Sequence, residues 1–337
     1  MIDLGTCVNR LGPPTSVGSV LAAFDPRMLR AHPYEAEGQF RHAYAEHLGV
    51  DPAHLVVGRG ISEFIGVLAA VLPPDETAII APDYTEIIKA FTTHLMPHVL
   101  TVSDTPEDRL ERLRDGMRHF RYVVLSNPCN PTGVRISTVD LARACLDYPQ
   151  AVLVVDESYI DFLADPADAM LGIDLPNVIV LRSPSKVFGI GGARCGALWT
   201  RDAQLRRVVA RRMMTWPLSL LDSMVAVAAL DGSDSSAGAS WVSKSTLRLR
   251  FCADRMESLL RHAGIGEVTP SPTHFRFLLT PQPNRVSDTF LAYGFVTRPF
   301  DPAEPGRVAG VRIATPLEEE LADFEAAVAS LRAHVTG

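Results

Sequence analysis

Between residues 34 and 230 the chain alternates short apolar runs with longer stretches of helical spacing. "YEAEGQFRHAYAEHLG" (34–49) has helical spacing and ends at a glycine, and "HLVVG" (54–58) reads as a short strand. "SEFIGVLAAVL" (62–72) opens on a helix-start signature and stops at Pro73-Pro74. "TAIIAP" (77–82) predicts a strand and "YTEIIKAFTTHL" (84–95) a helix. "RYVVLSNP" (121–128), "AVLVVDES" (151–158) and "VIVLRSPS" (178–185) are apolar without alternation, the mark of strands covered on both faces. "STVDLARACLDY" (137–148) is a helix with a serine cap, "GALWT" (196–200) an expected antiparallel strand, and 203–214 and 220–230 are helices.

That alternation predicts an α/β fold: a mostly parallel central sheet sandwiched by helices. Beyond about residue 235 the character changes. A long amphipathic helix (241–264) leads into short strands, "HFRFLLT", "GFVTRP" and "GVRIAT", and a final helix from residue 317 to 335. These predict a smaller α+β domain. The first thirty residues are too short to fold alone. The expected division is an N-terminal segment, 1–33, packing on the small domain, a large domain, 34–238, and a small C-terminal domain, 239–337.

Bulk properties narrow the function classes. The 337 residues are 47% hydrophobic and 21% charged, ordinary values for a globular protein. A net charge of −7 argues against a nucleic-acid partner. Cysteines stand at 7, 129, 145, 195 and 252, an odd number without a Cys-x-x-Cys, which fits reduced thiols rather than a disulfide scaffold or a metal site. The N-terminus has no signal-peptide pattern, and the longest apolar runs are too short to span a bilayer. A cytoplasmic protein is expected.

Ligand-binding residues of parallel sheets gather at the C-terminal ends of strands. Here those ends carry "GRGISE" (58–63), "PDY" (82–84), "NPCNPTG" (127–133), "DESY" (156–159) and "SPSK" (183–186). Taken singly, each has a plainer reading as a turn, a cap or a satisfied carboxylate. Lys186 stands out, because the chain has only two other lysines, Lys89 and Lys244, among 32 basic residues. A lysine in a glycine-rich, low-charge setting can lose its proton and form an imine. Asp156 follows four apolar residues, a costly place for a carboxylate without a cation. The amides of Ile61 and Ser62 at a helix N-terminus, with Ser183, Ser185 and Arg194, supply phosphate donors.

Together these parts describe a site for pyridoxal 5′-phosphate. Lys186 supplies the amine, Asp156 the acid for the pyridine nitrogen, and Asn130 with Tyr159 the donors to the phenolic oxygen. Tyr84 supplies the stacking surface, and Ile61, Ser62, Ser183, Ser185 and Arg194 the phosphate cup.

On these motifs, with "NRLGPP" (9–14), "WPLS" (216–219) and "GVRIAT" (310–315), the chain resembles the fold-type I pyridoxal-phosphate-dependent aminotransferases of class I/II. Within them it is most similar to the histidinol-phosphate aminotransferase branch. The resemblance implies a homodimer that moves an amino group between a small-molecule donor and a keto-acid acceptor, with no membrane. It implies Lys186 as Schiff-base lysine and proton shuttle, with Asp156 and Tyr159 beside it. It implies a substrate region of Arg312, Asn9, His274 and Tyr34, with Tyr34 or His32 reaching the partner's phosphate site. Three positions depart from the branch: His32-Pro33-Tyr34 replaces a Tyr-Pro, His274 an asparagine, and Ser62 an acidic residue. The departures keep other readings open: an aminotransferase of specialised metabolism acting on a basic or arginine-derived amino acid, a threonine-phosphate-type decarboxylase, or a non-catalytic cofactor-binding regulator.

Overall fold

The apolar runs become strands whose alternate side chains enter two different cores. In the computed structural model, which describes residues 1–91, 95–96, 104–163, 169–173, 175–231, 240–303, 306 and 308–335, the strands run in chain order as follows. They are β1 (Ile2–Asp3), β2 (Leu55–Gly58), β3 (Thr77–Ile80), β4 (Leu95–Met96), β5 (Tyr122–Ser126), β6 (Val152–Asp156) and β7 (Val178–Arg182). After these come β8 (Gly196–Thr200), β9 (Glu267–Val268), β10 (Phe275–Leu279), β11 (Phe295–Val296), β12 (Arg298–Phe300) and β13 (Gly310–Ala314). Seven of them form one sheet in the order β2-β8-β7-β6-β5-β3-β4. Pairing is parallel from β7 through β4, while β8 runs antiparallel to both β7 and β2. The expected mostly parallel α/β sheet is therefore present.

Strand side chains point alternately to opposite faces. Val123, Leu125, Leu153, Val155, Val178 and Val180 join a core with Phe40, Leu113 and Leu141. Val124, Val154, Ile179, Leu181 and Leu198 join the opposite core with Phe64, Leu68 and Ile87. Helices Ala36–Leu48, Pro106–His119 and Thr138–Asp147 supply the first layer, and Ile61–Val71, Thr85–Ala90 and Ala203–Arg212 the second. Burying each such side chain contributes roughly 1.5–3 kcal/mol, which is why neither face can be left open.

A second, antiparallel sheet has the order β12-β13-β10-β9, and β1 pairs parallel with β11. The long helix Trp241–Ala263 packs on β9 and β10 and ends at Gly264, which takes the left-handed conformation (φ 64°) that glycine permits. Residues 1–33 contact β13 of the smaller sheet, where the Leu4 carbonyl accepts from the Ala314 amide, and the loop and helix beside the larger one. Ile2 and Asp3 pair with β11, the Asn9 amide donates to the Lys186 carbonyl, and helix Thr15–Ala22 packs on helix Leu220–Leu230.

Element boundaries differ from the sequence reading in several places. The helix expected over 84–95 spans Thr85–Ala90, and Leu95–Met96 instead adds an edge strand beside β3; tertiary pairing overrides local propensity there. The strand expected to reach residue 185 ends at Arg182, because Pro184 has no amide for the ladder and starts the short helix Pro184–Val187. The final helix begins at Leu321, after a tight turn over Glu318–Glu320.

Candidate active site

The C-terminal ends of β5, β6 and β7 lie side by side, with Ser126 opposite Asp156 and Asp156 opposite Leu181. Loops that leave these ends, together with residues of β12, β13 and the N-terminal segment, enclose a cavity of about 610 Å³. It holds Lys186, Asp156, Tyr159, Asn130, Tyr84, Ile61, Ser62, Ser183, Ser185, Arg194 and Arg312 from the sequence-derived set.

Lys186 sits one residue before the end of the short helix that follows β7. Burial holds its amine below the ordinary lysine range, and the cations Arg312 and Arg194 push the same way; the neutral amine is the nucleophilic form. Asp156 ends β6 and is 4% exposed. Burial raises its carboxyl to about 6, against a hydrogen bond from the Ser158 amide to Oδ1 at 2.9 Å. A ring N–H cation at this position would relieve that cost. Tyr159 is buried, and burial lifts its phenol far above the ordinary range, so the hydroxyl stays a donor. The Asn130 amide donates to Ser126 Oγ at 3.0 Å, and its Oδ1 accepts from Arg312 Nη1 at 2.5 Å. Arg312 Nη2 donates to the Gly5 carbonyl at 2.7 Å, and its guanidinium lies 5.9 Å from Phe275 and 5.8 Å from Phe300. That leaves a fixed cation on the cavity wall.

The far end is shaped for an anion. Helix Ile61–Val71 starts after Gly60, which adopts φ 75°. A Cβ on Gly60 would lie 2.8 Å from Arg194 Nη2, and one on Gly196 would lie 2.8 Å from Gly60 Cα. Only glycines let β8, the helix N-terminus and Arg194 close this tightly. Ser183 Oγ and Ser185 Oγ are 2.6 Å apart and both are buried. Helix amides, two hydroxyls and a guanidinium therefore converge on one end. The Arg194 backbone is pinned by its amide to Asp222 Oδ1 at 3.0 Å. A phosphate at this end, an acid in the middle, an amine beside it and the Tyr84 ring fit pyridoxal phosphate.

Three members of the expected substrate set do not line the cavity. Asn9 is buried, with its side-chain amide donating to the Val187 carbonyl at 2.8 Å and to Ser245 Oγ at 3.0 Å; it fixes the N-terminal segment to the lysine loop. His274 is 3% exposed and stacks on Phe162 at 3.7 Å. Burial, with Lys186 and Arg312, drives it down to about 3, so it is a neutral packing residue. Tyr34 is 71% exposed, edge-on to Trp216 at 5.7 Å, and His32 stacks on the same indole at 4.1 Å. Conversely, the cavity includes Cys7, Asp3, Ser158, Arg298 and Phe300, which sequence reasoning did not single out. Arg298 had one available signal: it lies in "FVTRP", an expected strand close before "GVRIAT" in the chain.

The cavity brings together an amine, an acid, two hydroxyls and a guanidinium around the ends of parallel strands, a set that suits a pyridoxal-phosphate-dependent transferase. The family model of the class I and II aminotransferases matches residues 1–302, and the chain belongs to that family. Histidinol-phosphate aminotransferase 1 of Mesorhizobium japonicum is 28% identical, covering 97% of this chain and 89% of its own. The histidinol-phosphate aminotransferase of Sinorhizobium meliloti, solved with pyridoxal 5′-phosphate, superposes with a TM-score of 0.82 at 22% identity, over 99% of this chain and 91% of its own. The L-threonine-O-3-phosphate decarboxylase of Porphyromonas gingivalis superposes with a TM-score of 0.79 at 21% identity, over 100% of each chain. At these identities the two structures report a shared fold. The protein is a pyridoxal-phosphate-dependent aminotransferase of class I and II, similar over most of its length to histidinol-phosphate aminotransferases. Among the described residues no helix is long and apolar enough to cross a membrane.

Proposed function

We propose that the chain transfers the amino group of a phosphorylated amino compound, histidinol phosphate or a close analogue, to a keto acid such as 2-oxoglutarate. One observation carries the substrate class. Arg298 and Arg312 are direct cross-strand partners on β12 and β13, and both line the cavity. Two guanidinium groups on one wall suit a dianionic group such as a phosphate ester.

Bound pyridoxal phosphate supplies a carbonyl carbon for the amine and a protonated ring that absorbs the electron pair released at the substrate carbon. The chain does the rest. Arg194, Ser183, Ser185 and the amides of Ile61 and Ser62 hold the phosphate end. Asp156 keeps the ring nitrogen protonated, while Asn130 and Tyr159 donate to the phenolic edge and Tyr84 covers the ring face. Lys186, whose amine burial shifts toward the neutral form, would take the proton from the substrate carbon and deliver it to the former carbonyl carbon of the cofactor, across the nitrogen between them.

The reading includes a homodimer. Tyr34 and Trp216 are exposed and packed edge to face beside His32, and a second copy covering them would bring Tyr34 or His32 toward the neighbouring phosphate end. It also includes the division into residues 1–33, 34–238 and 239–337, and a cytoplasmic location.

The test is a single-turnover donor screen. Histidinol phosphate should bleach the visible band, and 2-oxoglutarate should restore it. Arg298→Ala should raise KM for that donor about tenfold or more. Carbon dioxide release from threonine phosphate, without keto-acid formation, would establish the decarboxylase instead. Turnover of arginine-like donors alone would favour the specialised-metabolism reading.

A further inference from the structure

Beneath the cofactor-facing loops lies a buried charged cluster that the chemistry above does not use. Arg109, in helix Pro106–His119, is 0% exposed, and Asp83 and Asp104 are 2% and 1% exposed. Arg109 Nη1 donates to the Pro82 carbonyl at 2.8 Å and reaches Asp104 Oδ2 at 3.4 Å. Its Nη2 donates to Asp83 Oδ2 and to the Ser126 carbonyl, both at 3.3 Å.

Asp83 uses both oxygens. Oδ1 accepts from the Tyr84 amide and from Ser126 Oγ, each at 2.6 Å, and Oδ2 also accepts from the Ser126 amide at 2.8 Å. Ser126 Oγ in turn accepts from the Asn130 amide at 3.0 Å. Asp104 accepts from Thr132 Oγ1 at 3.1 Å and from Arg112 at 2.5 Å. One carboxylate thus fixes the backbone of Tyr84 directly and that of Asn130 through a single hydroxyl.

A buried ion pair adds little net stability over a well-packed apolar replacement. Its worth here is geometric. A planar guanidinium has donors at fixed angles, so Arg109 holds the ends of β3 and β5 in one register. Sub-ångström placement is what a stacking ring and a hydrogen-bond donor at a reacting centre require.

We propose that Asp83 and Arg109 are positioning residues that set Tyr84 over the cofactor ring and Asn130 at its phenolic edge. The proposal rests on the assignment of Tyr84 and Asn130 to the cofactor made above. Asp83→Asn removes the charge, Arg109→Lys keeps the charge but loses the fork, and Ser126→Ala removes only the hydroxyl between Asp83 and Asn130.

After cofactor removal, each folded variant is titrated with pyridoxal phosphate by equilibrium dialysis, alongside its thermal midpoint and visible spectrum. Asp83→Asn and Arg109→Lys should raise Kd about tenfold or more, and Ser126→Ala about threefold, with a displaced visible maximum. A role in folding alone would lower the thermal midpoint and leave Kd and spectrum unchanged, which would overturn the proposal. If the two charge variants do not fold, Ser126→Ala decides: weakened binding supports the proposal and wild-type binding refutes it. Tyr84→Ala and Asn130→Ala separate the two levels. If they bind normally, the cofactor assignment is at fault; if they bind weakly while Asp83→Asn binds normally, only the positioning proposal fails.

Discussion

Arg312 Nη1 donates to Asn130 Oδ1 at 2.5 Å, joining β13 of the smaller sheet to the loop after β5 of the larger one. The same joint is repeated where Thr269 Oγ1 donates to the Thr132 carbonyl at 2.5 Å and where Ser271 packs against Gly133. The guanidinium is thereby held in place before substrate arrives. Asn130→Ala should free Arg312 and lower kcat/KM, on the order of a hundredfold, since small misplacements at a reacting centre carry costs of that size. Arg312→Lys should raise KM for the donor, because an ammonium cannot reproduce the planar contact. Steady-state kinetics on both variants checks this.

Asp156 gives a prediction of opposite sign with and without cofactor. Its folded carboxyl titrates at about 6, above the ordinary 3.8. The folded cofactor-free protein therefore binds more protons than the unfolded chain between these values. Its stability falls as pH rises through that window, by on the order of 3 kcal/mol in total. Asp156→Asn should be more stable than wild type without cofactor at pH 7, with the gap closing toward pH 4. The same variant should bind pyridoxal phosphate more weakly. Chemical denaturation across pH, with cofactor titration, measures both.

Gly60 is the narrow point of the phosphate end. Its φ of 75° disfavours any side chain, and a Cβ would meet Arg194 at 2.8 Å. Gly60→Ala should lose about tenfold or more in pyridoxal phosphate affinity while β2 and its neighbours remain folded, as read by dialysis and circular dichroism.

The cofactor end was legible because its signals are local. An apolar run that stops at a carboxylate, as at Asp156, or at Ser-Pro-Ser-Lys, as at Lys186, marks a strand end of a parallel sheet without knowledge of what lies across from it. The substrate end was not, because it is assembled by pairing between distant segments. Arg298 becomes a partner of Arg312 only through the β12–β13 register, and Cys7 lines the cavity only because the N-terminal segment folds over the lysine loop. Asn9 and His274 are polar residues whose roles are set by burial: one is used up in hydrogen bonds, the other is stacked on Phe162. Arg109 did carry a signal. It shares a helical stripe with the buried Leu113, Gly116 and Met117, where an arginine needs acidic partners.

In the proposed mechanism the amine of Lys186 bonds covalently to the cofactor whose ring nitrogen faces Asp156. Borohydride treatment of the purified yellow protein, followed by peptide mass mapping, tests it most directly. The pyridoxyl group should be fixed to the peptide that contains Lys186 and to no other, and Lys186→Ala should carry none. A colourless wild-type protein, or a label on Lys89 or Lys244, would contradict it.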